Sequence, residues 1–265
     1  MLPDLQKLVT QSEVINLSQP MKQGMPLFPA HVPFSFSLNI RHTDMQLPEG
    51  LGMANDVILG CTHSGTHLDA VGHFARNGCI HGGIDVKETV TGNGGLLKGG
   101  IEETAPIVRR GVLLDVAAYK DTDALPAGYA ITATDLENTA KAQGVELRQG
   151  DIALVRTGWG KYWGAPGKYS DLGAGVPGPG LDGAQWLVRK GAFMTGTDNL
   201  TYEVFAGGHG GDVHGFLLAD QGVQIIENMD LEALANRRLY SFLFVAAPLR
   251  IVGATASPIT PIAIC

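Results

Sequence analysis

The stretch CTHSGTHLDAVGHF, Cys61 to Phe74, sets His63, His67, Asp69 and His73 within eleven residues. Two imidazoles and a carboxylate are borderline-to-hard ligands, suited to zinc, manganese or iron, and they leave coordination positions open for water and substrate. An open metal site of that kind is a catalytic one. The plainer alternative is a polar loop in which each histidine makes its own hydrogen bonds. That explains a single histidine well and the whole group poorly.

Spacing narrows the chemistry. His63 and His67 are four apart, as on one face of a zincin helix, but H-S-G-T-H lacks the glutamate of H-E-x-x-H. Gly65 stands in its middle, where a helix loses roughly 1 kcal/mol relative to alanine. A turn after the apolar run DVILGC is therefore expected. It can set His63, His67 and Asp69 on one side, because H-x-D matches the period-two alternation of extended chain. A non-haem iron oxygenase needs an H-x-D pair and a distant histidine, which His67, Asp69 and His214 supply formally. Against it, no arginine closely follows His214, the next being Arg237, and His73 is left without a role. Serine hydrolysis lacks its G-x-S-x-G elbow, and Cys61, read as part of an apolar strand, is an inert small hydrophobe. GPGLDG, residues 178–183, is a G-x-G-x-x-G with no strand before it, so a nucleotide cofactor is not indicated.

Elements must carry these residues. Apolar runs bounded by turn residues read as strands: VINLS, DVILGC (56–61), GVLLDV (111–116), DIALVRTGW (151–159), AFMTGTD (192–198), VQIIENM (223–229) and SFLFVAAPLRI (241–251). Several have the continuous apolar character of strands buried on both faces. TATDLENTAKAQG reads as a helix opened by the capping pair Thr132 and Asp135 and closed by Gly144, with further helices in GLDGAQWLVRKG and VHGFLLADQG. The alternation predicts an α/β fold, a mixed sheet flanked by helices, in a single domain over residues 1–265. Clusters among the 36 glycines, such as AGGHGGDVHG, predict long functional loops.

The net charge of −7, with no run of like charges, argues against nucleic acid and anionic membrane as partners. No apolar run reaches about 18 residues, and MLPDLQKLVTQSEV lacks a basic and an apolar segment, so a cytoplasmic protein is expected. Three cysteines without C-x-x-C spacing fit a reducing compartment.

H-S-G-T-H-L-D-A-V-G-H resembles the H-x-G-T-H-x-D-x-P-x-H motif of the cyclase family of metal-dependent hydrolases, which includes bacterial kynurenine formamidase and isatin hydrolase. The resemblance continues through VRTGW (155–159), GLDGAQWL (180–187), GTDN (196–199), VHGFLLADQGVQIIENM (213–229) and the closing FVAAPLRIVGATASPITPIAI. GVLLDVAAYKDTDALPAGY (111–129) and the IIEN strand are closer to isatin hydrolase than to the shorter formamidases. The resemblance implies a swivelling β/β/α fold, a homo-oligomer, and hydrolysis of a small-molecule cyclic amide, isatin plus water giving isatinate. A formamidase or another amide or lactone hydrolase is the alternative it leaves.

It further implies that His63, His67 and Asp69 bind a first divalent metal, Mn2+ or Zn2+, that His73 is the acid/base, and that His214 and Glu227 complete the site. Asp69 would bridge to a second metal where there are two. Two features depart from the family pattern. Val71 replaces the motif's proline, and the interval from His214 to Glu227 is one residue longer than in the formamidases, which makes His209 a substitute ligand or substrate contact. Phe34, Phe36 and Trp159 are candidate walls for a flat substrate, and Thr66 and Asn199 candidates to orient the ligands. For each of these, packing or turn chemistry is the rival reading.

Overall fold

In a computed structural model, which describes residues 10–45, 47–90 and 92–265, the apolar runs of the second half form the middle of a nine-stranded sheet. The opening residues MLPDLQKLV, read above for targeting, lie outside the described residues. The sheet strands, in chain order, are β1 (Val14–Asn16), β2 (His67–Asp69), β3 (Ile107–Asp115), β4 (Ile152–Arg156), β5 (Met194–Thr197), β6 (Gln224–Glu227), β7 (Ser241–Ala246), β8 (Ala256–Pro258) and β9 (Ile262–Ile264). Across the sheet they run β1, β9, β7, β3, β4, β5, β6, β2, β8. The central run from β3 to β6 is parallel, and every pairing outside it is antiparallel.

The buried stretches Val112–Leu114 of β3, Ile152–Val155 of β4 and Ile225–Ile226 of β6 are apolar because both faces are covered. Leu113, Ile152 and Leu154 point into one cluster with Ile226, Phe244 and Leu68, while Val112, Leu114, Ala153 and Val155 point into the other. The second cluster is closed by helix α1 (Ala133–Gln143) and helix α2 (Leu181–Arg189), through Leu136, Ala140, Trp186 and Leu187. Burying one such aliphatic side chain contributes about 1.5–3 kcal/mol relative to leaving it in water. Helix α1 begins at the expected capping box: Thr132 Oγ1 accepts from Asp135 N–H, and the Asp135 carboxylate accepts from Thr132 N–H. It ends at Gly144 with φ +65°. Among the described residues no helix is long and apolar enough to cross a membrane.

The run DVILGC forms a strand, Asn55–Leu59, which among the described residues pairs with Ser35–Ile40 in a separate two-stranded hairpin rather than joining the large sheet. Val57, Ile58 and Leu59 are 57–66% exposed, so this strand is not part of the core. Apolar composition cannot distinguish a strand covered by helices from one that presents an apolar surface.

The carboxyl ends of the parallel strands carry the buried polar groups. Arg156, at the end of β4, bonds Asp115 at the end of β3 at 2.9 Å and Glu232 at 2.8 Å. Asp198, just past β5, accepts from Thr157 N–H and Oγ1 and from Gly158 N–H. Glu227 ends β6, where the parallel run gives way to antiparallel β2.

Candidate metal centre

Gly65 turns the chain at φ +64°, and β2 follows at once, so H-S-G-T-H is a turn entering a strand. Alternation then puts Leu68 in the core beneath the sheet, with His67 and Asp69 on the opposite face. The antiparallel register sets Glu227 of β6 directly across from His67. His63 arrives from the turn before β2, and His214 from the short helix α3 (Asp212–His214), which continues as a π-helical segment over Gly215–Asp220. All five side chains are buried.

The two oxygens of Asp69 face different partners. Oδ1 lies 2.8 Å from His63 Nδ1 and 3.5 Å from His67 Nε2, while Oδ2 lies 3.7 Å from His214 Nε2 and 4.0 Å from His73 Nε2. Glu227 closes the ring, 3.3 Å from His67 Nε2 and 3.1 Å from His214 Nε2. Two groups result, His63–His67–Asp69 and Asp69–His214–Glu227, and within each one ligand atom per residue lies within 4.8 Å of the others. Each histidine has its remote nitrogen engaged elsewhere: His63 Nε2 with Thr255 Oγ1 at 2.9 Å, His67 Nδ1 with the Gly65 carbonyl at 2.9 Å, and His214 Nδ1 with Glu203. His67 and His214 meet a carbonyl and a carboxylate, which accept, so their Nε2 atoms are left to present lone pairs to a cation.

The polar inventory fits such an ion. His67 Nε2 and both oxygens of Asp69 are buried without a hydrogen bond, a costly state unless a cation satisfies them. Charge gives the same answer. Burial works against ionisation of Asp69 and Glu227, yet the neighbouring histidines hold both below the usual carboxylate range. Burial likewise works against charge on His67 and His214, yet the neighbouring Glu227 carboxylate, and for His214 also Glu203, raises both, His214 to about 10. Two buried carboxylates draw positive charge into the ring, and a divalent ion supplies it while releasing the protons. His73 differs. Burial lowers it to about 4, which leaves it neutral and able to accept a proton.

Above the ring is a cavity of about 300 Å³, with His63, Asp69, His73, His214 and Glu227 at its floor. Its apolar walls are Phe28, Phe74, Leu200 and Phe205. The anticipated walls do not line it: Trp159 and Phe34 pack with Trp163 and Tyr169, Phe36 is exposed on the hairpin, and His209 is exposed in its loop, bridged to Ala206. Thr66 and Asn199 sit behind the site. Thr66 Oγ1 donates to the Asn228 carbonyl next to Glu227, and the Asn199 amide donates to the carbonyls of Pro177 and Tyr202. Cys61 lies beyond the end of its strand, half-buried and in no disulfide. Sequence reasoning missed Glu203 and His31, both of which line the cavity, and Asn228, whose amide donates to the Gly65 carbonyl. An acidic residue eleven before His214 carries no spacing signal.

Comparison with known proteins bears on this geometry. The Cyclase family model matches residues 15–204. The chain belongs to the cyclase family. The matched segment includes His63, His67, Asp69 and His73, while His214 and Glu227 lie beyond it. An isatin hydrolase of Roseibium aggregatum is 27% identical over 223 residues, covering 79% of this chain and 74% of that protein. A crystal structure described as a novel cyclase superposes with a TM-score of 0.88 at 29% identity, covering 100% of this chain and 92% of the other. Isatin hydrolase A of Ralstonia solanacearum shares the fold, with a TM-score of 0.76 at 21% identity over 100% of this chain and 97% of its own. Within this cyclase-family frame Val71 opens the one-turn 3-10 segment Val71–His73 that carries His73.

Proposed function

We propose that the chain is a metal-dependent hydrolase that opens a cyclic amide, with isatin the substrate its chemistry suits best. The observation that carries this reading is His73, 4.0 Å from Asp69 and beside an apolar-walled cavity floored by a ring of metal-ligand types. Kinship with the Roseibium isatin hydrolase supports the substrate class.

A divalent ion, Mn2+ or Zn2+, held by His63, His67 and Asp69 with His214 and Glu227 beside them, would supply a Lewis acid and lower the pKa of water from 15.7 towards about 7. His73 accepts one proton as water adds to the lactam carbonyl, then returns it to the ring nitrogen as the C–N bond breaks, leaving an aromatic amine and a carboxylic acid that loses its own proton to solvent to give the carboxylate. Asp69 and the outer bonds from Thr255 and the Gly65 carbonyl hold the imidazoles in orientation. Phe28, Phe74, Leu200 and Phe205 exclude water and accept the flat ring.

The test is a panel of cyclic imides, lactams, lactones and formylanilines assayed with manganese and with zinc. Opening of isatin, abolished by a chelator and restored by metal, is the expected result. Preference for N-formylkynurenine would move the reading to a formamidase, and metal binding with no turnover of any member would refute catalysis. A homo-oligomer in the cytoplasm is proposed with it, and light scattering of the purified chain tests the assembly.

A further inference from the structure

Glu203 is 3% exposed, lies in the cavity wall, and pairs with no lysine or arginine among the described residues. Its charge is spent on one place. Oε2 accepts from Val213 N–H at 3.0 Å, Oε1 accepts from His214 N–H at 3.1 Å, and Oε1 also meets His214 Nδ1. The same carboxylate therefore fixes both the backbone that carries His214 and the ring itself.

The loop that delivers Glu203 is tied down by hydrogen bonds on either side of it. Tyr202, just before it, is fully buried in the left-handed region at φ +53°, a costly conformation for a non-glycine residue. It is retained because the Tyr202 hydroxyl meets Thr195 Oγ1 at 3.0 Å, the Asn199 amide donates to its carbonyl at 3.1 Å, and Thr201 Oγ1 donates to the Glu203 carbonyl at 2.9 Å. Gly178 packs so closely that a Cβ there would stand 2.5 Å from the Glu203 carbonyl carbon.

Building on the reading of this ring as a metal centre, we propose that Glu203 is the positioning residue of its second half. It holds His214 with Nδ1 protonated and Nε2 turned to Asp69 and Glu227, and so sets whether a second ion binds between them. Carboxylate–histidine pairs behind a metal typically account for 10- to 100-fold in metal affinity.

The test is zinc titration by calorimetry of wild type, Glu203→Ala and Glu203→Gln, with 15N NMR of the zinc-loaded wild type. Glu203→Gln keeps the side chain's length and one acceptor oxygen for a backbone N–H, so it separates loss of charge from loss of the side chain should the alanine variant fail to fold. The wild type is expected to bind two zinc ions, one of them weakened about 10- to 100-fold in Glu203→Gln while the other is unchanged. His214 should show a protonated Nδ1 and a metal-bound Nε2. Wild-type affinity for both ions in Glu203→Gln would overturn the proposal, as would a single ion in the wild type or zinc on His214 Nδ1. Two ions with this pattern but no lactam opening would sink the proposed function and leave the role of Glu203 standing.

Discussion

The floor and the walls of the cavity are built on opposite principles. The floor is anchored on strands: Asp69 and Glu227 stand on the paired strands β2 and β6, with His67 directly across from Glu227 and its Nδ1 bonded to the Gly65 carbonyl, while His63, His73 and His214 come from a turn, a 3-10 segment and a short helix. The walls come from scattered loops, with Phe28 before the hairpin, Leu200 after β5, and Phe205 beside the glycine cluster at 207–211. A metal centre tolerates little displacement and benefits from the stiffest backbone available. Substrate choice can vary with the loops while that centre stays in place. On the proposed function, the difference teaches that reaction type belongs to the floor and substrate choice to the walls.

Substitutions can break that separation. The largest effect belongs to Asp69, which serves both halves of the ring: Asp69→Ala should lose bound metal, measured by elemental analysis, and fall to background turnover. A fully metallated, active Asp69→Ala protein would refute the floor as drawn. His73 stands on the boundary. His73→Ala should keep its metal and lose at least about a hundredfold in rate, and near-wild-type turnover would remove the acid/base role. For the walls, Phe205→Ala should raise KM roughly tenfold, the lower end of what an apolar contact contributes to discrimination, with metal content unchanged. Phe36→Ala, on the hairpin and away from the cavity, should leave kcat, KM and metal as they are. A loss of metal in Phe205→Ala would show that floor and walls are one unit.

This division also explains what could be read from the sequence. The floor was legible because ligand chemistry demands particular residue types, and strand alternation demands their spacing: His67 and Asp69 are two apart for that reason. The parallel core was legible from the same logic, since strands covered on both faces are apolar at every position, as in Val112–Leu114. Aromatic residues carry no comparable signal. Trp159 donates its indole N–H to the Tyr169 carbonyl inside a packed cluster, and nothing in its neighbours distinguishes that from a place in a wall. Asn55–Leu59 was legible as a strand but its exposure was not, as its run of apolar residues is that of a core strand. Glu203 was hidden because its partner is distant in sequence and the link depends on how the loop at Tyr202 turns.

The finest test of the floor's rigidity is Val71. A proline there would need the preceding residue extended, its own φ near −65°, and no hydrogen bond from its nitrogen. Ala70 has φ −74° and ψ 153°, Val71 begins a 3-10 turn, and among the described residues the Val71 N–H makes no backbone hydrogen bond. The turn is already fixed by other contacts: Ala70 N–H donates to the Thr255 carbonyl and Gly72 N–H to the Gly99 carbonyl, both at 2.9 Å. Gly72 is packed so tightly that a Cβ would lie 2.7 Å from that same oxygen. Valine therefore keeps the folded geometry and adds freedom only to the unfolded chain. Val71→Pro should raise stability by about 0.4–1 kcal/mol in a denaturant titration, with kcat unaltered. A drop in kcat would mean that the floor needs play at His73, and that its stiffness ends one residue short of the proposed base.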